Sequence, residues 1–298
     1  MDYILHIATF AMIYLLLVQS MNLYLGYTGI LALSHIAFFG IGAYAGALIS
    51  LSGGSFWLGL LVGGFVAGIL GLLLGLTSIK LSADYLGIAT LGFAQITSSV
   101  MQNWTNLTRG PLGLPGIPRP TILGIDLSGK LEYLIFVTLI TTILMFVMYK
   151  IMKSPFGQIL ETIRDDEIAA KSMGKNTTAY KLIAFTIGAI IAALAGSLLA
   201  HFIKYIDPMS FHINQLALVL VMTILGGLGT FRGPFIGVAV ILFISEGVTF
   251  LDIPAQYVGS LQMIIYSLVF LTVVIYFPQG IAGFWKYKKR RRKQFTSY

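Results

Sequence analysis

Few side chains in this 298-residue sequence have the type and spacing for covalent chemistry. There is no cysteine, which removes disulfides, thiol nucleophiles and thiolate metal sites. The four histidines, His6, His35, His201 and His212, show no metal-ligand spacing. No Ser/His/Asp arrangement can be assembled. There is no G-x-x-x-x-G-K-[ST] phosphate loop, so the chain itself is not expected to hydrolyse ATP. The sequence therefore reads as having no catalytic residue, no metal site and no cofactor. What remains is a set of ionisable groups near membrane depth: His35, Asp84, Lys181, His201 and Glu246. An intramembrane charge is a functional candidate by default. Most of these lie near span ends, where snorkelling accounts for them. Glu246, deepest in its span, is the candidate for touching a transport pathway.

One stretch gathers charge in an otherwise apolar chain. Ser154 to Asn176 reads SPFGQILETIRDDEIAAKSMGKN, with long oily segments on both sides. Ser154 suits a helix cap, Pro155 its first turn and Gly174 its stop. The spacing predicts one amphipathic helix over 155–173. Phe156, Leu160, Ile163, Ala170 and Met173 share a face; Arg164, Asp165, Asp166, Glu167 and Lys171 fall elsewhere. Glu167 and Lys171 stand at i,i+4 in the favourable order. Such a helix, held outside the bilayer between two spans, is either presented to a partner or is a solvated connection.

The elements around it are membrane spans. Apolar residues make up 57% of the chain and charged residues 10%, and mean hydropathy is +0.89. Soluble domains carry roughly 25% charge, and ~20 apolar residues cross a bilayer as a helix. The expectation is an all-α, polytopic transmembrane bundle of about nine spans (range eight to ten), forming one domain over 1–298. The spans fall at 3–23, 30–51, 56–78, 84–104, 131–152, 178–203, 213–227, 233–251 and 258–277, with 213–227 short enough to be re-entrant. The first apolar run lacks an obvious small-residue cleavage site and reads as a retained span. Glycine pairs at helical spacing, such as Gly42 with Gly46 and Gly59 with Gly63, suit close backbone packing.

Pro and Gly crowd the segment 105–130, which reads as an extended external loop or short substructure. Seven basic residues crowd the tail 285–298. The net charge of +8 comes largely from that tail, so membrane orientation explains it better than a nucleic-acid partner. With the loop 153–177 and the tail both cytoplasmic, nine crossings put the amino terminus outside. Fifteen Lys and Arg then lie inside and four outside (Arg109, Arg119, Lys130 and Lys204). An internal echo also appears. The break Gly26–Gly29 followed by Ala37–Ala43 resembles the break Gly226–Gly229 followed by Pro234–Ala239.

The segment Asp166 to Gly174 resembles the cytoplasmic coupling loop of bacterial ABC importer permeases. That loop carries an E-A-A-x-x-x-G pattern; here Ile168 separates Glu167 from Ala169 and Ala170. Asn22–Ala47, Asp84–Ile96, Asn106–Pro118, Ser154–Gly174 and Leu225–Gly237 together resemble branched-chain amino-acid permeases of the LivM type, in order over nearly the whole chain. The resemblance implies an inner-membrane subunit paired with a LivH-type sister permease. It implies two cytoplasmic ATP-binding subunits, an extracytoplasmic solute-binding protein and surrounding membrane lipid. It places coupling to the ATPase on Arg164, Asp165, Asp166, Glu167, Ala169, Ala170 and Gly174. The same architecture serving urea, short amides or a sugar is the alternative, and an ion-coupled carrier or channel is a further one.

Overall fold

The computed structural model describes residues 2–78, 81, 83–122, 125–127, 129–249, 254–276 and 280–283. Lys80 and the basic tail 285–298 lie outside the described residues. Among the described residues, nine helices stand at the positions expected for spans: α1 (Asp2–Thr28), α2 (His35–Leu51), α3 (Phe56–Ser78), α4 (Ala83–Asn103), α6 (Lys130–Lys153), α9 (Thr177–Ile203), α10 (Ile213–Gly226), α11 (Gly233–Thr249) and α12 (Ala255–Tyr276). Between them lie α5 (Thr105–Thr108) and the two helices of the charged stretch, α7 (Pro155–Asp165) and α8 (Glu167–Ser172). α1, α3, α6, α9 and α12 are long and apolar enough to cross a membrane by length and composition; α2, α10 and α11 are apolar but shorter. α4 has span length but carries Asp84, Gln95, Gln102, Asn103 and several hydroxyls, and is too polar for that class.

Among the described residues, strand is confined to two-residue pairings. β1 (Leu114–Pro115) runs antiparallel to β4 (Tyr205–Ile206), and β2 (Thr121–Ile122) to β3 (Ile125–Asp126). The Pro/Gly segment is thus a short substructure pinned to the α9–α10 connection. The amides of Gly116 and Ile117 both donate to Lys204 O, and Ile117 is buried.

The core is built on α1 and α9. Ile13, Leu16, Leu17, Val18 and Met21 of α1 are buried, as are Ala192, Ala195, Leu198 and Ala200 of α9. Glycine sets how closely α2, α3 and α9 approach. A Cβ at Gly42 would overlap the Ala193 backbone, and one at Gly196 the Phe39 carbonyl. A Cβ at Gly59 or Gly63 would press on the backbone of Gly46 or Gly42. The small-residue pairs read from the sequence are therefore a three-helix seam, as expected where lipid offers no hydrophobic drive between helices.

Connections that meet one another test the nine-crossing alternation. Gly26 at the end of α1, Arg164 at the end of α7 and Gly229 after α10 are in mutual contact, and Gly280 after α12 abuts Gly227. These segments follow one, five, seven and nine crossings. At the other end β1 meets β4, Lys130 pairs with Asp2 at 2.9 Å, and Tyr3 hydrogen-bonds Glu246. Those segments follow none, four, six and eight crossings. Odd meets odd and even meets even, as a bundle traversed nine times requires.

Two expected boundaries shift. The first span does not end at residue 23: α1 continues to Thr28, and the chain leaves the helix over 29–34. Gly26 lies inside the helix because its missing Cβ admits the Gly229 amide, not because it ends the helix. The charged stretch is two helices, not one; Asp166 breaks it.

Candidate functional site

The charged stretch forms a platform at the end of the bundle that holds both glycine breaks. It starts with a tight corner after α6. Pro155 occupies the first turn of α7, as its fixed φ and missing N–H favour. The Ser154 hydroxyl does not cap that helix; it donates back to Ile151 O at 2.7 Å. Gly157 makes the corner possible, since a Cβ there would overlap the Met152 backbone. α7 then buries Gly157, Leu160 and Ile163 against the bundle, and the Phe156 ring sits 5.5 Å from that of Tyr180.

Asp166 takes an extended backbone and its Oδ1 accepts from the Ala169 amide at 2.9 Å, capping α8. This capping explains the break within a stretch whose apolar spacing alone reads as continuous helix. Gly174 ends α8 at φ +75°, a conformation that β-branched residues strongly resist. The Lys175 amide returns to Ala170 O at 3.2 Å, and the Asn176 side chain caps α9 through Ala179 N at 3.1 Å.

The residues named from the sequence divide by where they face. Ala170 is fully buried within the chain, so it packs α8 onto its own bundle and offers nothing to a partner. Met173, grouped with the inner face by spacing, is 70% exposed, because the helix ends before it. Ile168 is 78% exposed, and Ala169, Asp165 and Asp166 are exposed beside it. Arg164 turns inward: its Nη1 donates to Gly26 O at 2.9 Å, while Nε and Nη2 fork onto Asp165 at 3.0 and 2.9 Å.

Glu167 is engaged inside the chain. It receives Lys181 Nζ at 2.5 Å, Lys171 Nζ at 3.1 Å and the Thr177 hydroxyl at 3.0 Å. Partial burial pushes its carboxyl up, but the hydrogen bond and charge of Lys181, with Lys171 and Thr177, outweigh this and hold it at about 2. A carboxylate lowered from its ordinary 4.5 stabilises the folded state above that value, and the contribution is lost as pH falls through about 2. The hold of α8 on α9 should thus be level from neutral pH down to about 5 and weaken below. Glu167→Gln should raise amide hydrogen exchange over 167–173 by up to about fivefold, the ~1 kcal/mol ceiling for a partly exposed ion pair. Unchanged exchange there would mean that the ion pairs do not hold α8.

The other candidates sit apart from this platform. Glu246 lies three residues from the end of α11, at the opposite end of the bundle, bonded to Tyr3. His201 in α9 is a satisfied core histidine: Nδ1 faces Ser197 O at 2.7 Å and Nε2 faces Ser50 Oγ at 2.7 Å, so Nδ1–H donates and Nε2 accepts. His35 is buried with Nε2 3.1 Å from Leu17 O. Lys181 belongs to the Glu167 cluster, and Asp84 is exposed in the first turn of α4.

Sequence reasoning undervalued α4. Its Gly87 and Gly92 have open space where a Cβ would stand, and Tyr85, Ile88 and Ile96 are exposed. A cleft beside it, between α2, α10 and the turn 208–211, is lined by Ile36, Leu91, Ala94, Ile213 and Leu216, with Gln95, Ser98 and His212 as its polar groups. Its walls are mostly apolar, Phe211 among them, with a few hydrogen-bonding side chains between. The signal was present in the sequence as the polar content of a span-length helix.

The family model for the permease component of branched-chain amino acid transport systems matches residues 3–277. The high-affinity branched-chain amino acid transport system permease protein LivM of Salmonella typhimurium is 34% identical, over 92% of this chain and 69% of that protein. Its Escherichia coli K12 counterpart is 33% identical over the same shares. The autoinducer 2 import system permease protein LsrC of Shigella flexneri is 27% identical over 63% of this chain and 54% of its own length. Among solved structures, PsaBC from Streptococcus pneumoniae in complex with Fab aligns with TM-score 0.50 at 16% identity, covering 92% of this chain and 91% of that one. That last likeness concerns the fold alone.

Proposed function

This chain belongs to the family of permease components of branched-chain amino acid transport systems, and from that premise we infer that it forms one half of the membrane channel of an ABC importer for branched-chain amino acids. The observation that carries the reading is the platform α7–α8. It is an exposed pair of short helices tied by α6 and α9 to the bundle. ATP is bound and hydrolysed in two separate cytoplasmic subunits, which grip the exposed edge around Ile168, Ala169 and Met173. Their closure moves α7 and α8 as a rigid body, and the attached spans follow. Alternating access then needs no catalytic residue here. An extracytoplasmic binding protein delivers the solute and does most of the selecting.

The sister permease, of LivH type, completes the pathway along the open face of α4, and the cleft at Gln95, Ser98 and His212 supplies this chain's share of the lining. Glu246, at the far end from the platform, stands at the mouth and not at the midplane. The platform faces the cytoplasm and the amino terminus lies outside. Among described residues the platform end holds Lys150, Lys153, Arg164, Lys171, Lys175, Lys181 and Arg232, against Arg109, Arg119, Lys130 and Lys204 at the other. The segment 110–117 docks on β4 and shapes the receiving surface. Its deletion would cost folding as well as delivery, because it buries Leu114 and Ile117.

The test is reconstitution of the full importer in vesicles with radiolabelled leucine. ATP-dependent accumulation that excess valine and isoleucine suppress is expected. Accumulation of urea or a sugar but not leucine would overturn the substrate and keep the architecture; the similarity to LsrC makes that control necessary. Single cysteines at Leu112, 81% exposed, and Ser172 should label from opposite faces, Ser172 from the cytoplasm. Labelling of both from one face would sink the orientation.

A further inference from the structure

Arg164 sits where three distant parts of the chain converge. α1 ends at Thr28, so the carbonyls of its last turn lack intrahelical partners. Arg164 Nη1 donates to one of them, Gly26 O, at 2.9 Å. The guanidinium also places a positive charge at the negative end of the α1 dipole. The turn after α10 closes the other side. The Gly229 amide donates to Asn22 Oδ1 at 3.0 Å, and Asn22 Nδ2 donates to Thr230 O at 3.0 Å. Gly229 has φ +66°, and a Cβ there would overlap the guanidinium. Gly29, at φ +73°, lies beside the Arg164 stem, where a Cβ would stand 3.3 Å from Arg164 Cγ. Asp165 holds the guanidinium in orientation through its fork.

We propose that Arg164 is a positioning residue that latches the coupling platform to both glycine breaks, so that movement of α7 is delivered to α1 and to the 227–232 turn together. The proposal rests on the importer reading and adds the route of transmission. Without the latch, α7 keeps its apolar packing through Leu160 and Ile163 and its chain connections to α6 and, by way of α8, to α9, but loses its hydrogen bond to the end of α1. α1 is the element that needs a specific link, because it is buried through the centre of the bundle and is far from α7 in sequence. An arginine is well suited here, since its planar fork bonds Asp165 and the Gly26 carbonyl at once, which a lysine ammonium does less well.

The cysteine-free chain allows a direct measurement. Spin labels are placed at Thr162→Cys on α7 and Arg232→Cys beside the turn, both exposed, in the assembled importer. With Arg164 present, one narrow distance is expected in the nucleotide-free and the ATP–vanadate-trapped states. In Arg164→Ala the distribution should broaden and differ between the two states. Leucine uptake should fall about tenfold or more, in the range of typical coupling free energies, while the ATP-binding subunits still co-purify. Arg164→Lys should partly restore both the narrow distance and the uptake. A narrow, state-independent distance with normal uptake in Arg164→Ala overturns the latch. So does loss of co-purification with the distance still narrow, which makes Arg164 a docking contact. If the unsubstituted importer moves no leucine but the distances behave as expected, the substrate reading fails and the latch stands.

Discussion

Ile168→Asp is expected to strip the ATP-binding subunits from the importer while leaving the helical bundle folded. Ile168 is 78% exposed on α8, so the chain's own packing does not need it. Burying one such side chain in a partner's groove is worth ~1.5–3 kcal/mol, and each 1.4 kcal/mol is a factor of ten in association. An aspartate there loses that gain and adds a charge to desolvate, so co-purification should fall by roughly two orders of magnitude and uptake with it. Ile163→Asp is the contrast. Ile163 is buried under α7, and a charge there should cost folding of the chain itself. The exposed and buried apolar residues of one platform thus predict opposite failures. If Ile168→Asp keeps normal co-purification, the exposed edge of α8 is not the docking surface. Ala170→Trp would not answer the question: Ala170 is buried in its own chain, and overpacking it costs ~1–3 kcal/mol of local fold whatever the partner does.

Ala170 shows what a single sequence can and cannot tell. Helical spacing placed Leu160, Ile163 and Ala170 on one face, and all three are buried. Spacing carries no information on whether the covering surface belongs to the same chain or to a partner. Glu167 was ambiguous in the same way: an i,i+4 lysine was visible, but Lys181 and Thr177 reach it only through the fold. Glycine raised a different ambiguity. At Gly174 it marks a left-handed stop, and spacing from the helix identified it. At Gly26 it marks a close approach inside a continuous helix, and only the distant Gly229 explains it. The spans were legible because bilayer thickness sets their length and hydropathy their character. α4 was legible as a helix but not as an open face, since polarity alone does not say what it adjoins. The break at Asp166 was readable from Asp–x–x cap chemistry and was masked by the stronger amphipathic pattern.

Gly42→Ala and Gly92→Leu should separate close packing within this chain from packing against its neighbour. At Gly42 the added methyl meets the Ala193 backbone, which belongs to a buried helix and cannot rotate away as a side chain would. On the other side Gly63 packs closely against the Gly42 backbone. α2 must therefore move off α9 along its length, and His201, Ser50 and Ser197 lose their alignment across the same seam. The cost is expected at or above the usual ~1–3 kcal/mol for overpacking, against a total stability of ~5–15 kcal/mol. Thermal stability in detergent and the amount of chain in the membrane should both drop severalfold. At Gly92 nothing lies within 4 Å of an added Cβ, and a leucine in a helix interior is favoured over glycine by several tenths of a kcal/mol. The chain alone should be as stable or slightly more stable. If the sister permease packs on this face as proposed, uptake and its co-purification should nevertheless fall, because the leucine would fill the space between them. Gly42→Ala with unchanged stability would contradict the α2–α9 contact. Gly92→Leu with normal uptake and normal co-purification would show that the open face of α4 meets lipid, and the second permease would then have to pack elsewhere.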